Sequence, residues 1–419
     1  MKILWTVNTI MPEVAKQLGL PAWHAISWVD AMSKKLANRE DIQLSIVCGG
    51  PNHSIQKKQL GGIIYYIMPI DWSKVDYWDE VLKDFQPDII HAYGTEVGHN
   101  YLLLKNHTSV PIVVSLQGIL TEYAKHYYAG IDISTMIRFS QLKDLFLTTG
   151  FFSGKRDFIK RSETEKKMLR LAHYVEGRST WDYVSSKRIN PNLMYYYCPR
   201  MIREPFFIHT WNLEQMERHS LMVHQGSYPI KGLHIVFEAL FLLKQKYPDV
   251  KLYVAGSNLF SKISWKHKIF QKGYVNYLKH LIKKYDLSAN IIFTGFLSAD
   301  EMAQRLSHIN VSIMPSAIEN APNSLAEAMV VGTPIVASFV GGNMDMLEHN
   351  KEGFLYCFNE PNMLAYYVSK LFDNDQISSD FSAASRKTAL ERHDPDGLEK
   401  KLLKIYEDVK EDFLKKRIN

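Results

Sequence analysis

Short apolar runs alternate with longer segments of helical spacing along the first half of this 419-residue chain. The runs predict buried strands, because each is almost wholly apolar and ends near a glycine, a proline or a polar cluster. The predicted strands are 3–7, 44–48, 63–68, 89–92, 112–116 and 175–179, the predicted helices include 22–36 and 78–85, and 8–20 is predicted to be a loop. Strands alternating with helices favour a mostly parallel, doubly wound α/β sheet, with its ligand site off the carboxyl ends of the strands.

The same alternation begins again in the second half of the chain. Its predicted strands are 221–224, 251–255, 291–293, 311–314 and 335–338. Between the halves, 192–212 lies among several prolines and is predicted to be a connection. Since a chain of this length favours two or three domains, we expect two α/β domains, over 1–200 and 215–395.

Residues 312–345 combine features that favour an anionic ligand. A predicted strand ends at Pro315, a polar loop follows, and Ser324 and Glu327 are spaced as a capping box that begins a helix. The N-terminus of that helix would present backbone N–H groups and about half a positive charge. The pair Gly341-Gly342 would let a second backbone segment approach the same anion.

Two carboxylates in this stretch, Glu319 and Glu327, fit a different part of a ligand. Carboxylates accept hydrogen bonds from hydroxyl groups, so a ligand with both phosphates and sugar hydroxyls, such as a nucleotide-sugar, suits the combination. A purely structural reading, with Glu327 as a capping residue and the glycines as an ordinary loop, is the alternative, and it leaves Glu319 unexplained.

Glu319, seven further residues, Glu327, Ala328-Met329, Gly332, Pro334 and Gly341-Gly342 follow one another in an order that resembles the donor-site signature of the family 4 retaining glycosyltransferases, the glycosyl transferases of group 1. The resemblance covers the second half of the chain well and the first half loosely. It implies the GT-B architecture, in which two Rossmann-like domains face each other across a cleft. The first domain would bind the acceptor and the second the nucleotide-sugar donor, and the final helix, 398–415, would pack back on the first domain.

The resemblance also implies roles for individual residues. Glu319 and Lys231 would be the catalytic residues, the first holding the transferred sugar and the second stabilising the diphosphate. Glu327 would bind the ribose hydroxyls. Other donor-binding residues would be Gly226, Ser227, Phe296, Asn320, Ala321, Asn323, Ser324, Leu325, Gly341 and Gly342.

The first half departs from the family pattern in its loops. Met11-Pro12-Glu13 stands where the family usually has a glycine pair, and Gln117 where it often has a histidine. A glutamine can bind a sugar hydroxyl but cannot carry a proton near neutral pH, so no protein base is assigned. In the second half, Gly226 replaces a common arginine. Weaker candidates for acceptor or sugar binding are Gln117, Gly118, His91 and Arg178.

Composition narrows the remaining choices. Hydrophobic residues make up 46% of the chain, enough for a substantial core, and the net charge of +6 is too mild to indicate a nucleic-acid partner. Three distant cysteines and the lack of a long apolar run predict a cytoplasmic protein without a membrane span. The basic, amphipathic stretch 134–170 is compatible with peripheral binding to an anionic membrane surface. Packing of a solvated helical pair on the first domain is the alternative.

No metal or other cofactor is predicted. His91, His99 and His126 lack the spacing of a ligand pair on a helix. Asp373-Asn374-Asp375 and Asp394-Pro395-Asp396 both follow predicted helices and are interpreted as turns.

The sequence therefore predicts a retaining, metal-independent glycosyltransferase of the hexosyltransferase class. It would move a sugar from a nucleotide-diphosphate-sugar to a hydroxyl of a lipid-linked or growing glycan, as in surface polysaccharide biosynthesis. The alternatives are an epimerase or a phosphorylase on the same fold, and a non-catalytic nucleotide-sugar-binding protein. A Rossmann oxidoreductase is disfavoured, because no Gly-x-Gly-x-x-Gly follows the first strand.

Overall fold

The chain folds into two compact units. The structure is a computed structural model that describes residues 1–20, 27–140, 151–257 and 265–418. Unit 1 comprises Met1–Thr121, Lys160–Arg203 and His393–Asn419. Unit 2 comprises Glu122–Ile159 and Glu204–Arg392.

The strands of unit 1 are short, and their central members are almost wholly buried. They are β1 (Lys2–Thr6), β2 (Gln43–Gly49), β3 (Gln56–Leu60), β4 (Ile63–Met68), β5 (Ile89–Tyr93), β6 (Ile112–Ser115), β7 (Tyr174–Gly177) and β8 (Met194–Tyr197). They form a sheet in the order β3-β4-β2-β1-β5-β6-β7-β8. Neighbours pair in parallel except β3 and β4, which are antiparallel.

The strands of unit 2 form a parallel sheet in the order β11-β10-β9-β12-β13-β14. They are β9 (Glu217–Val223), β10 (Lys251–Ala255), β11 (Ile291–Gly295), β12 (Ile309–Met314), β13 (Ile335–Ser338) and β14 (Phe354–Tyr356). From β9 the chain builds outward in one direction through β10 and β11, and then in the other direction from β12. The strand order therefore reverses between β9 and β12, and ligands of such sheets bind at that point, off the carboxyl ends of the strands.

Helices connect these strands, and no described helix is long and apolar enough to cross a membrane. In chain order they are α1 (Pro12–Gln17), α2 (Ser27–Ala37), α3 (Trp78–Phe85), α4 (Gly98–Asn106), α5 (Leu120–Tyr123), α6 (Ile133–Phe139), α7 (Phe151–Leu171), α8 (Thr180–Ile189), α9 (Pro205–Ile208), α10 (Leu233–Lys246), α11 (Trp265–Lys284), α12 (Ala299–His308), α13 (Asn323–Val331), α14 (Asn343–Met346), α15 (Pro361–Asp373), α16 (Asp375–Arg392) and α17 (Pro395–Ile418).

Two local predictions are corrected. The predicted loop 8–20 contains α1, which begins at Pro12 as prolines commonly begin helices. The predicted connection 192–212 contains β8 and α9, so the sheet continues one strand beyond the strand predicted over 175–179. The antiparallel β3 was not predicted, because its sequence, QKKQL, lacks an apolar run. Residues 22–26 of the predicted helix 22–36 lie outside the described part of the chain.

The segment Glu122–Ile159, called the arm below, clusters with unit 2, whereas 1–200 was predicted to form one domain. Its apolar side chains explain the difference, because Ile131, Met136 and Phe151 are buried in the hydrophobic core of unit 2. The spacing of apolar residues in a sequence shows that a face is buried but not which neighbour covers it.

The final helix, α17, belongs to unit 1. Its fully buried Tyr406 hydroxyl accepts a hydrogen bond from Trp5 Nε1 at 2.9 Å and lies 2.7 Å from Nδ1 of His91. Apolar residues of the helix, such as Leu402 and Val409, enter the same core as β1 and β2. The C-terminal segment is thus part of the unit that the N-terminus begins.

Candidate functional site

A pocket of about 110 Å³ lies in unit 2, where the strand order reverses. Its walls come from the residues that end β9 and β12 and from the loops that follow them. The lining residues are Val223, His224, Gln225, Lys231, Ile313, Met314, Pro315, Ser316, Glu319, Pro322 and Ser324. The pocket therefore contains both residues predicted to be catalytic, Lys231 and Glu319.

Lys231 and Glu319 form an ion pair in this pocket. Lys231 Nζ lies 2.5 Å from Glu319 Oε1, and the two side chains are 20% and 11% exposed. Burial alone would lower the pKa of Lys231, but the negative charge of Glu319, with smaller contributions from Tyr228 and Tyr123, raises it well above its ordinary value. The ammonium group is therefore charged at every physiological pH.

The backbone brings this pair together from two loops that are distant in sequence. The Ala317 amide donates to the Ile230 carbonyl at 2.7 Å, which places the loop after β12 against the turn that carries Lys231. Gly232 ends that turn with φ +69°, and a Cβ there would overlap the Pro315 carbonyl oxygen. A glycine is thus required at 232 for this approach.

Gly341 and Gly342 contact the backbone of Glu319. The Gly342 amide donates to the Glu319 carbonyl at 3.1 Å. Gly341 has φ +48°, and a Cβ at this position would overlap the same carbonyl oxygen. The sequence predicted that this pair admits a backbone segment close to an anion. The close approach that the structure shows is to Glu319, so the glycine pair positions that carboxylate.

Helix α13 begins at Asn323, with Pro322 as its N-cap and no side-chain cap. The predicted capping box of Ser324 and Glu327 is therefore wrong, because Ser324 already lies inside the helix, and its hydroxyl donates to Met314 Sδ at 3.5 Å. Glu327 lies one turn into the helix and is buried. The N-terminal turn of α13 borders the pocket, and its amide groups offer the partial positive charge that suits an anion.

The remaining predicted donor residues occupy different positions. Gly226 and Ser227 follow Gln225 of the pocket wall, and a Cβ at Gly226 would meet the Leu233 side chain. Asn320 is buried beside Glu319, and Leu325 is buried at the start of α13. Ala321 and Asn323 are partly exposed. Phe296 follows the edge strand β11, does not line this pocket, and is 74% exposed.

The weaker candidates lie in unit 1. Arg178 Nη2 donates to the Gln117 carbonyl at 2.8 Å, so Arg178, Gln117 and the adjacent Gly118 share one region at the ends of β6 and β7. His91 is fully buried, with its ring beside Tyr406 and 3.8 Å from the carboxylate of Glu176. The structure thus gives His91 a place in the core rather than the predicted sugar-binding position.

Ser316 was missed by sequence reasoning. Its hydroxyl, 5% exposed with the rest of the residue, donates to Glu319 Oε1 at 2.7 Å. The only signal in the sequence was its position directly after the strand-ending Pro315, which places it at the carboxyl edge of the sheet.

The aspartate pairs contact cations and backbone within their own units. Asp373 pairs with Lys246 at 2.5 Å and Asp375 with Arg218 at 2.5 Å. Asp394 accepts from the Gly397 amide at 2.7 Å. Across the described residues, no group of three or more histidine, cysteine, aspartate or glutamate side chains is arranged to hold a metal ion.

Comparison with known proteins agrees with this geometry. Residues 205–388 match the model of the family "Glycosyl transferases group 1". YtcC of Bacillus subtilis, assigned as a glycosyltransferase, is 29% identical over 162 residues, and WcaL of Salmonella typhimurium, assigned to colanic acid biosynthesis, is 28% identical over 167 residues. Each match covers 38% of this chain and 38% of the relative.

Solved structures match over nearly the whole chain. A sucrose-phosphate synthase from Thermosynechococcus elongatus superposes with a TM-score of 0.71 at 14% identity, covering 98% of this chain and 99% of that one. Anabaena HepE in complex with UDP-glucose superposes with a TM-score of 0.66 at 18% identity, with coverages of 98% and 99%.

The fold is therefore that of the GT-B proteins, with two Rossmann-like parallel-sheet domains. Within that class, residues 205–388 are similar to the glycosyl transferases of group 1.

Proposed function

We propose that this protein is a retaining glycosyltransferase that moves a sugar from a nucleotide-diphosphate-sugar to an acceptor hydroxyl. The observation that carries the proposal is the Lys231–Glu319 pair, held in a pocket beside the N-terminus of α13 in the unit that matches the family. A cation, helix amides and a carboxylate in one small pocket suit a ligand that joins a diphosphate to a sugar.

The charges suggest how the residues would divide the work. As the glycosidic bond breaks, negative charge accumulates on the leaving diphosphate. Lys231 and the first amides of α13 would stabilise that charge, and because they are already in place, little reorganisation is needed. Glu319 would accept hydrogen bonds from the transferred sugar. Glu327, which lies one turn into α13, would accept hydrogen bonds from the ribose.

The proton of the acceptor hydroxyl needs a base. Gln117 occupies the position where a histidine would be expected, and an amide cannot take up a proton near neutral pH. We propose that the departing diphosphate oxygen accepts this proton on the face from which the acceptor attacks. The bond to the diphosphate breaks while the bond to the acceptor oxygen forms, so the anomeric configuration is retained, and no metal ion is required.

The relatives suggest a first choice of substrates. HepE was solved with UDP-glucose, which makes uridine diphosphate sugars the donors to try first. WcaL is assigned to the biosynthesis of colanic acid, a relation that supports a lipid-linked or growing glycan of a surface polysaccharide as the acceptor.

Such an acceptor would bring the protein to the inner face of a membrane. Helix α6 exposes Ile133 (67%) and Ile137 (50%), one turn apart, and α7 exposes Ile159 (46%) with Arg156 and Lys160. Apolar side chains with neighbouring cations are typical of surfaces that bind anionic lipid. Residues 141–150 of the predicted basic stretch lie outside the described part of the chain. Stronger sedimentation with vesicles containing anionic lipid than with neutral vesicles would support this location.

A thermal-shift screen against uridine, guanosine and adenosine diphosphate sugars, each with and without EDTA, tests the proposal. We expect one base to raise the melting temperature, with no effect of EDTA, and the selected donor to be consumed when a glycan acceptor is added. Loss of this turnover in Glu319→Gln would assign it to the pocket. Donor isomerisation without acceptor would identify an epimerase, dependence on inorganic phosphate a phosphorylase, and binding without turnover a sensor. Each of these three results would overturn the proposal.

A further inference from the structure

Two donors reach the same oxygen of Glu319. Lys231 Nζ lies 2.5 Å and Ser316 Oγ 2.7 Å from Oε1. In the described part of the chain, the side-chain contacts of this carboxylate are thus concentrated on Oε1, so that Oε2 is the oxygen that can accept a hydrogen bond from a ligand.

Ser316 is itself held firmly. It directly follows Pro315 at the end of β12, and its carbonyl accepts a hydrogen bond from the Ser338 hydroxyl at 2.6 Å. The next residue, Ala317, is bonded through its amide to Ile230. Neighbouring strands and the turn that carries Lys231 therefore fix the Ser316 backbone, and its hydroxyl has a defined direction.

Binding of a diphosphate changes the demands on Lys231. Its ammonium group would turn part of its interaction from Glu319 to the phosphate oxygens, and Oε1 would lose part of its cationic partner. The Glu319 side chain is 11% exposed, and a carboxylate buried to that degree needs donors to remain in place. Ser316 is the donor to Oε1 that does not have to serve the phosphates.

We infer that Ser316 is a positioning residue, which holds Glu319 Oε1 so that Oε2 is directed at the sugar while Lys231 serves the diphosphate. This inference rests on the proposed function. It separates two parts of one ligand: the sugar depends on the hydroxyl of Ser316, and the nucleoside diphosphate does not.

Three variants separate this role from a general one in folding. Ser316→Ala removes the hydroxyl, and Ser316→Thr keeps it. Ser312→Ala is the matched control, because Ser312 is fully buried on β12, the strand that precedes Ser316, and its hydroxyl has no hydrogen-bond partner among the described residues. For each protein the melting temperature, the dissociation constants of UDP and of UDP-glucose, and kcat and KM for UDP-glucose would be measured.

We expect Ser316→Ala to melt near the wild-type temperature, to bind UDP as the wild type does, and to lose kcat by about tenfold or more, since a hydrogen bond to a charged group is lost. Its preference for UDP-glucose over UDP should fall as well. Ser316→Thr should recover most of both losses, and Ser312→Ala should show neither.

Other outcomes distinguish a failure of this inference from a failure of the proposed function. If Ser316→Ala matches Ser312→Ala in kcat and in the preference for UDP-glucose, Ser316 has no positioning role, although the proposed function stands. Equal weakening of UDP and UDP-glucose would show a collapsed pocket and would also overturn the inference. If the wild type neither binds nor turns over any nucleotide-sugar, the proposed function fails first, and the inference fails with it.

Discussion

At the scale of single residues, the approach of Lys231 to Glu319 depends on backbone contacts between their loops rather than on the chemistry of the two side chains. Lys231 and Glu319 belong to different loops, and glycines at 232 and 341 permit the approach of those loops. A substitution that adds only a methyl group at one of these glycines, and removes no charge, should therefore disturb the pocket.

Gly341→Ala tests this point. The added Cβ would overlap the Glu319 carbonyl oxygen, and φ of +48° is unfavourable for alanine. We expect the free energy of unfolding of unit 2 to fall by about 2 kcal/mol and donor binding to weaken, because the Glu319 backbone must move. Gly295→Ala is the control, since Gly295 has φ +77° but nothing within 4 Å of the added atom. Equal losses in the two variants, measured by urea unfolding, would reduce the effect to backbone strain alone.

Lys231→Ala tests the charge itself. If Lys231 stabilises the departing diphosphate, kcat should fall by about 100-fold or more, as for other preorganised electrostatic stabilisers. Lys246→Ala is a suitable comparison, because Lys246 also pairs with a carboxylate, that of Asp373, at 2.5 Å but is 60% exposed at the surface of unit 2. Steady-state kinetics with the donor selected by the thermal-shift screen would measure both variants. An unchanged kcat in Lys231→Ala would remove this residue from the mechanism.

At the scale of elements, the sequence predicted those segments whose boundaries are marked by an abrupt change of pattern. Strands β10 and β13 and helix α3 were predicted with the bounds that the structure shows. Edge strands β3 and β8 were missed, because their exposed or half-exposed residues include polar and aromatic side chains that do not form a buried apolar run.

The residues of the site also divide into those that the sequence predicted and those that it missed or misplaced. The sequence motif brought Lys231 and Glu319 into one hypothesis, and the structure places them 2.5 Å apart. Ser316 escaped notice, because its role depends on which oxygen of Glu319 it meets, and this direction is a property of the folded loop. His91 was assigned to a ligand site from the position of its strand, but its side chain points into the core.

The docking of the arm on α10 gives a prediction about pH. His234 of α10 is 2% exposed, donates through Nε2 to the Ala129 carbonyl at 3.0 Å, and accepts from the Tyr274 hydroxyl at Nδ1. Burial lowers the pKa of His234 from 6.5 to about 4. Because the pKa of His234 is lower in the folded protein than in the unfolded chain, its neutral form contributes stability above pH 6.5, and this contribution is lost as the pH falls toward 4.

Between pH 6.5 and pH 4 the free energy of unfolding of unit 2 should fall by about 3 kcal/mol, because the unfolded chain binds a proton at His234 that the folded protein does not. His234→Gln can retain a donor and an acceptor without titrating, so its free energy of unfolding should depend less steeply on pH. Urea unfolding at pH 7 and pH 4 would measure the difference, with His308→Gln as a comparison at a histidine outside the core. Identical pH dependence in the wild type and His234→Gln would show that His234 is not protonated on unfolding in this range.

At the scale of the whole molecule, the chain leaves unit 1 first for the arm and a second time after Arg203, and from this second excursion it returns at His393. The two crossings of this second excursion are anchored inside unit 1, where His393 Nδ1 lies 2.8 Å from the Arg200 carbonyl oxygen. The Arg200 guanidinium group meets the fully buried carboxylate of Glu176 at 3.1 Å. Burial alone would raise the pKa of Glu176, but Arg200 and then His91 hold it below the ordinary value.

This arrangement makes Arg200 more important than its position next to a linker indicates. Arg200→Ala would leave Glu176 buried without its cation, and the free energy of unfolding of unit 1 should fall by about 3–5 kcal/mol. The double variant Arg200→Met with Glu176→Gln should lose less than the single one, because no charge is then left buried without a partner.

Arg218→Ala, which breaks an exposed pair with Asp375 in unit 2, should cost about 1 kcal/mol or less. Calorimetry with and without UDP would assign the transitions, since a ligand of unit 2 should raise only the transition of that unit. A double variant as unstable as Arg200→Ala would show that Arg200 acts through packing rather than charge.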